Sequence, residues 1–429
     1  MKFDKNFMVG AATAAHQVEG GNIHSDYWAQ EHMVHTDFAE PSGDAVDHYR
    51  RYAQDIRLMA DAGLNAYRFS IEWARIEPEE GTFDEAEIEH YRSVIRTCRD
   101  NGIEPIVTLL HFTSPKWLIS KGGWESDDTP ACFARYARYV MEQLGGELRY
   151  VCTINEANMG IQVAAIARRY MQQMMAAKQG GTSDGTVQMG INLEKMMANQ
   201  KAAEEERMEL FGVAKTECFT SPRTPHGDEI VMEAHRAARA AIREVAPHVQ
   251  VGLTLSLHDI QALPGGEENA AKEWADEFTH YLPAIEDDDF LGVQNYTRTR
   301  IDASGSLPTP EGAELTQMDY EFYPQGLEHV IRKVAEDFKG DLIVTENGIA
   351  TADDGRRQAF IETALSGVAA CLADGLPVKG YLYWSLMDNF EWQKGFSMTF
   401  GLIAVDRTTQ ERTVKPSLAL LGGFCGGDN

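Results

Sequence analysis

Hydrophobic positions along the chain gather into eight short apolar runs, each leading into a polar segment and then a stretch with helical spacing. The runs are FMVGAAT (7–13), NAYRFSI (65–71), EPIVTLL (104–110), YVCTI (150–154), VQVGLTLSL (249–257), DFLGVQNY (289–296), DLIVTE (341–346) and VKGYLYWSL (378–386). Between them, YRRYAQDIRLMADAG (49–63) and IEHYRSVIRTCRDNG (88–102) repeat apolar residues every three to four positions and end in glycine, a helix-stop signal. Strands alternating with helices predict parallel strands joined by right-handed crossovers. Eight such units predict an α/β fold, a closed (β/α)₈ TIM barrel.

No linker rich in Pro or Ser divides the chain and no short repeat appears, so residues 1–429 read as a single catalytic domain. The fourth and fifth runs stand apart, separated by about 95 residues, which predicts an elaborated βα loop over about 157–225. Its stretch 168–212 is helical in composition, rich in Met and broken by Gly, Ser and Thr at 180–186. The pair Arg168–Arg169 there reads either as a contact for an anionic group or as a solvated helix face.

The formal charge of −27 narrows the partners. Negative charge of this size repels phosphate backbones and anionic lipid, so neither nucleic acid nor a membrane surface is expected. Six cysteines are dispersed without a C-x-x-C pair or metal-knuckle spacing, so no metal and no disulfide framework is signalled. The start, MKFDKNFMVG, lacks a basic segment followed by an apolar one, and no run approaches the ~20 apolar residues of a membrane span. The expectation is a cytoplasmic enzyme without a cofactor, and homo-oligomer formation is left open.

In barrels of this kind catalytic side chains sit at the C-terminal ends of strands, where loops vary without disturbing the packed interior. Those ends carry His16, Gln17 and Glu19, then Arg68, His111, Asn155 and Glu156, Tyr296, Glu346 and Asn347, and Trp384. Almost every end offers a polar or aromatic group to a hydroxylated ligand. Two carboxylates stand out, Glu156 after VCTI and Glu346 after LIVT. Burying a carboxylate without a partner costs several kcal/mol, so each is either an ion-pair member or a site residue. Arg68 has two candidate partners, a site carboxylate or the structural acid Glu72. Trp384, Trp392 and His111 can each be read as core residues.

The motifs AYRFSIEWARIEP (66–78), GIEPIVTLLHF (102–112), TINEAN (153–158), VTENGIA (344–350) and GYLYWSLMDNFEW (380–392) occur in this order. With FMVGAATAAHQVEGG at the start and FGLIAVD and RTVKPS near the end, the whole chain resembles glycoside hydrolase family 1, the β-glucosidase family. The resemblance implies a retaining exo-β-glycosidase acting on small-molecule β-D-glucosides, and on β-D-galactosides and β-D-fucosides. Glu346 then corresponds to the nucleophile and Glu156 to the acid/base, with Arg68 and Tyr296 holding Glu346. Asn155 corresponds to the residue that grips the sugar 2-hydroxyl. Gln17 and His111 correspond to partners of positions 3 and 4, Glu391 and Trp392 to readers of positions 4 and 6, and Trp384 to the floor beneath the ring.

Two departures matter. Ala157 stands where the family's acid motif has proline, which removes a fixed φ but no catalytic group. In Gly292-Val293-Gln294-Asn295-Tyr296, Gln294 replaces the usual asparagine, and Tyr296 aligns with the second of two tyrosines. The alternatives to β-glucosidase action are a 6-phospho-β-glycosidase of the same family and a non-catalytic carbohydrate-binding barrel. Glu391 argues against the first, because an acid there repels a substrate phosphate.

Overall fold

The computed structural model describes residues 2–177, 189–199 and 201–426, with the side chains of 170–177, 193 and 196 left aside. Eight parallel strands close into a barrel: β1 (Met8–Ala12), β2 (Ala66–Ser70), β3 (Glu104–Leu110), β4 (Tyr150–Ile154), β5 (Gln250–Ser256), β6 (Phe290–Gln294), β7 (Asp341–Asn347) and β8 (Val378–Trp384). Each strand pairs with its sequence neighbours, and β8 closes the ring by pairing with β1, Met8 against Gly380 through Ala12 against Trp384. Every predicted run is a strand, with ends shifted by two residues or fewer. The chain is a TIM barrel.

Helices surround the ring: α1 (His48–Asp61), α2 (Glu85–Asp100), α3 (Thr129–Leu144), α4 (Pro225–Val245), α5 (Glu267–Glu277), α6 (Gly326–Asp337), α7 (Asp354–Ala373) and α8 (Pro416–Gly422). Local sequence sets their limits. Asp84, Thr224 and Asp353 cap α2, α4 and α7 by accepting from first-turn backbone N–H groups. Past α1 and α2, Gly63 and Gly102 adopt the left-handed φ that stops a helix at little cost.

The expected long loop lies between β4 and α4 and carries the helices Met159–Ala177, Leu193–Asn199 and Glu204–Phe211. Part of the Met-rich stretch, including residues 178–188, lies outside the described residues. No described helix is long and apolar enough to cross a membrane. All six cysteines are free thiols.

Candidate active site

Glu346 sits near the end of β7, where pairing to β6 skips a residue: Val344 faces Val293, but Glu346 faces Gln294. Such an irregularity re-aims a side chain at a barrel rim. One carboxylate oxygen, Oε1, accepts from Arg68 Nη1 at 2.7 Å, and Oε2 accepts from the Tyr296 hydroxyl at 2.5 Å. Arg68 is fully buried on β2, and its other donors reach Thr108 Oγ1 at 2.9 Å and Asn155 Oδ1 at 2.6 Å. Glu346, not Glu72, is therefore the arginine's carboxylate partner. Glu72 instead caps a short helix and accepts from the Thr113 hydroxyl.

Asn155 and Glu156 follow β4, with β5 and β6 between them and Glu346 around the ring. Asn155 Oδ1 also receives Gln294 Nε2 at 2.9 Å and Thr254 Oγ1 at 3.2 Å, and its Nδ2 lies 3.2 Å from His111 Nε2. The glutamine at the sixth-strand departure thus binds the asparagine beside the acid. Thr254 does a second service by accepting the backbone N–H of Glu156 at 2.9 Å. It holds in place a residue whose φ is +45°. Among the described residues seven non-glycine positions have positive φ, and Phe112, Glu156 and Trp392 line one cavity. Backbone strain gathered in this way is a mark of a functional site.

That cavity is walled by His111, Phe112, Glu156, Met189, Tyr296, Glu346, Trp384, Glu391, Trp392 and Phe400. It brings seven of the ten expected site residues to one surface, with Arg68 and Asn155 directly behind. Gln17 stands beside Glu391, its Nε2 reaching Phe390 O at 2.8 Å and Glu391 Oε2 at 3.3 Å. The imidazole of His111 stacks between Trp384 and Trp392, with ring centroids 5.5 and 5.9 Å away. The Trp384–Ser385 peptide is cis. Gln17 Oε1 and His111 Nδ1 are buried without a hydrogen-bond partner. Buried polar atoms are normally satisfied, so these two point to a ligand that carries hydroxyls.

The two glutamates are treated differently. Burial raises Glu346 above the usual carboxylate value, while the Arg68 charge and the Tyr296 hydroxyl pull it back. Burial, then the charge of Glu346, push Glu156 well above that range, and Arg68 opposes them less directly. Glu346 therefore ionises first. Burial lifts Glu391 to about 8, and burial with the Arg68 charge keeps His111 well below its ordinary value and hence neutral.

Two glycines have steric reasons. A Cβ on Gly348, two residues past Glu346, would lie 1.9 Å from Trp384 O, so the turn after the glutamate admits only hydrogen there. A Cβ on Gly190 would meet Glu391 O at 2.5 Å, whereas its bare N–H reaches Glu391 Oε1 at 3.0 Å.

Besides Gln17, Arg68 and Asn155, three further strand-end residues are absent from the cavity wall. Glu19 accepts from Arg75 at 2.9 Å and Tyr91 at 3.1 Å, His16 stacks behind Trp392, and Asn347 ties β7 to Asn295 O and Tyr381. They support the site without facing it. Thr254, Met189, Gly190 and Phe400 belong to it although sequence reasoning did not single them out.

Residues 1–423 match the family model described as glycosyl hydrolase family 1. The chain belongs to glycosyl hydrolase family 1. It is a glycoside hydrolase of the β-glucosidase type. Within the family it is similar to the 1,4-β-D-glucan glucohydrolase of Thermotoga neapolitana, 30% identical with 97% of this chain and 96% of that one covered. A crystal structure of the β-glycosidase BGL167 is 44% identical, covers 100% of this chain and 99% of its own, and superposes with a TM-score of 0.86. An apo β-glucosidase, 1317, is 42% identical over 97% of both chains, again with a TM-score of 0.86.

Proposed function

We propose that this family 1 enzyme is a retaining exo-β-glycosidase that cleaves unphosphorylated terminal β-D-glucosides, and also β-D-galactosides and β-D-fucosides, by double displacement. Glu346 attacks the anomeric carbon while Glu156 gives its proton to the departing glycosidic oxygen. Water, deprotonated by Glu156, then breaks the glycosyl–Glu346 ester. The observation that carries this reading is that two carboxyl groups line one cavity and only one of them, Glu346, is bonded by both Arg68 and Tyr296. Arg68 and Tyr296 favour the anion on Glu346, and that anion holds the proton on Glu156. Once Glu346 is esterified its charge is gone, Glu156 becomes more acidic, and it can serve as the base.

The surrounding groups fit recognition of the sugar. Asn155 addresses the 2-hydroxyl, held by Arg68, Gln294 and Thr254. Gln17 Oε1 and His111 Nδ1 have lone pairs or protons to share with positions 3 and 4, Glu391 and Trp392 read positions 4 and 6, and Trp384 supplies an apolar face. On the Glu391 side, an adjoining cleft shares Met189 with the cavity and is lined by Phe38, Ile191 and Met197 together with Asp37, Arg207, Lys215 and Gln393.

The 6-phospho alternative meets two obstacles. The described cavity wall contains no Lys or Arg to receive a phosphate, and it does contain Glu391. Burial weakens the charge argument by lifting Glu391 to about 8, so the missing cation weighs more. The test compares p-nitrophenyl β-glucoside with its 6-phosphate. The expected kcat/KM ratio favours the unphosphorylated substrate by about a hundredfold or more, the loss from burying an unpaired charge. Equal or better cleavage of the phosphate would reverse the assignment.

A further inference from the structure

The loop between β4 and α4 is fastened to the segment that follows β8. Gly190 N–H donates to Glu391 Oε1 at 3.0 Å. Gln393 N–H donates to Gly190 O at 3.1 Å, and the side-chain oxygen of Gln393, Oε1, accepts from Asn192 N–H at 2.6 Å. Three hydrogen bonds thus join residues 190–192 to residues 391–393. The carbonyl of Gln393 also accepts from Ala39 N–H at 3.0 Å, which ties the same residue to the chain before α1. Farther along the loop, Lys195 Nζ donates to Phe38 O at 2.8 Å and Asn199 Nδ2 to Thr36 O at 2.9 Å.

The two segments approach so closely that the loop must carry glycine where it meets the carboxylate. A Cβ on Gly190 would come within 3.1 Å of Glu391 Oε1 as well as 2.5 Å of its backbone oxygen. Gly190 does not lie in the left-handed region, so close approach and not φ is the requirement. The contact reaches Glu391 through a backbone donor, whose position is set by the fastening on either side.

This arrangement divides the work of the two carboxylate oxygens. Oε1 is taken by Gly190, while Oε2 has only the longer contact from Gln17 Nε2 at 3.3 Å and is left to accept from a ligand hydroxyl. Burial lifts Glu391 to about 8, and the Gly190 N–H is the foremost of the contacts that oppose it. A glutamate side chain frozen before the ligand arrives loses no rotamer freedom on binding, so its hydrogen bonds count more fully toward recognition.

We propose that Gln393 and Gly190 are positioning residues for specificity: Gln393 seats the loop, and the seated Gly190 N–H fixes the carboxylate of Glu391 for discrimination at positions 4 and 6. This rests on the reading of Glu391 given above. The test compares kcat/KM for p-nitrophenyl β-glucoside and its 4,6-dideoxy analogue, which offers Glu391 no hydroxyl. Wild type is expected to favour the glucoside by about a hundredfold or more, the worth of two hydrogen bonds to a charged acceptor. In Glu391→Ala that ratio should collapse to about one. Gln393→Ala and Gly190→Ala are expected to lower the ratio about tenfold through the glucoside alone, with the analogue within about twofold of wild type. Retained turnover of the analogue reports an intact fold and an intact Glu346 and Glu156. Gln393→Glu keeps an acceptor oxygen for Asn192 N–H and should retain the wild-type ratio. A wild-type ratio in both Gln393→Ala and Gly190→Ala, from no loss or from equal loss on the two substrates, would overturn the proposal. A ratio of about one in wild type itself would instead remove Glu391 as the reader, and the positioning role with it.

Discussion

Glu346→Ala is expected to lower kcat for p-nitrophenyl β-glucoside about 10⁵-fold or more, the scale on which enzymes respond to loss of a covalent nucleophile. The carboxylate has no understudy in the cavity: Glu156 carries its proton, and Glu391 lies at the far side with Gln17 and Gly190. Alanine also strips the buried Arg68 of its counter-ion, which can destabilise the fold by several kcal/mol. Glu346→Gln is therefore the companion variant, since it keeps the volume and an acceptor for Arg68. Both should lose activity while circular dichroism and the denaturation midpoint separate folding from chemistry. Full activity in a folded Glu346→Ala protein would remove the nucleophile from the proposal and leave a barrel that works by other residues.

Glu156→Ala should behave differently, and the difference lies in the leaving group. For alkyl glucosides and disaccharides, whose departing oxygen needs a proton, the expected loss is about 10²–10⁴-fold, the usual worth of general acid–base catalysis. For 2,4-dinitrophenyl β-glucoside the first step needs little acid, so the glycosyl-enzyme should accumulate and added azide should restore turnover by attacking it without base assistance. A uniform loss across leaving groups, with no azide effect, would count against Glu156 as acid/base. The pH dependence carries the same information. Activity falls on the acid side as Glu346 gains a proton and on the alkaline side as Glu156 loses one. Because burial and the neighbouring anion raise Glu156 well above the carboxylate range, the alkaline limb of wild type lies well above the usual carboxylate pKa, and Glu156→Ala should lose it in kcat for the activated substrate.

Much of this site could be read before any coordinates. The barrel strands are buried almost along their length, so they appear as compact apolar runs, and Glu156 and Glu346 fall just where two of those runs open. Motif order supplied the neighbours, and Tyr296 reaches Glu346 as its alignment implied. Harder to see were contacts that depend on closure of the ring. Thr254 looks like one more inward residue of VQVGLTLSL, and only the pairing of β4 with β5 brings it under the Glu156 backbone. Gly190 meets Glu391 across 201 positions of sequence, and no local pattern announces that. Strand-end position alone also overreached. Glu19 satisfies it, yet the short helix Ala15–Val18 carries the chain outward, and Glu19 ends against Arg75 and Tyr91. That Gln17 Oε1 and His111 Nδ1 lack partners had no sequence signal, because lacking a partner is a property of the packed structure.

The division of labour between Glu346 and Glu156 is tested most directly by following the anomeric configuration of the first-formed sugar. In a proton NMR time course with p-nitrophenyl β-glucoside at high enzyme concentration, β-glucose should appear first and α-glucose only later, at the rate of mutarotation. That outcome is required if Glu346 takes the sugar and water then returns it with a second inversion. Initial appearance of α-glucose would mean a single displacement by water and would contradict the assignment of Glu346 as nucleophile.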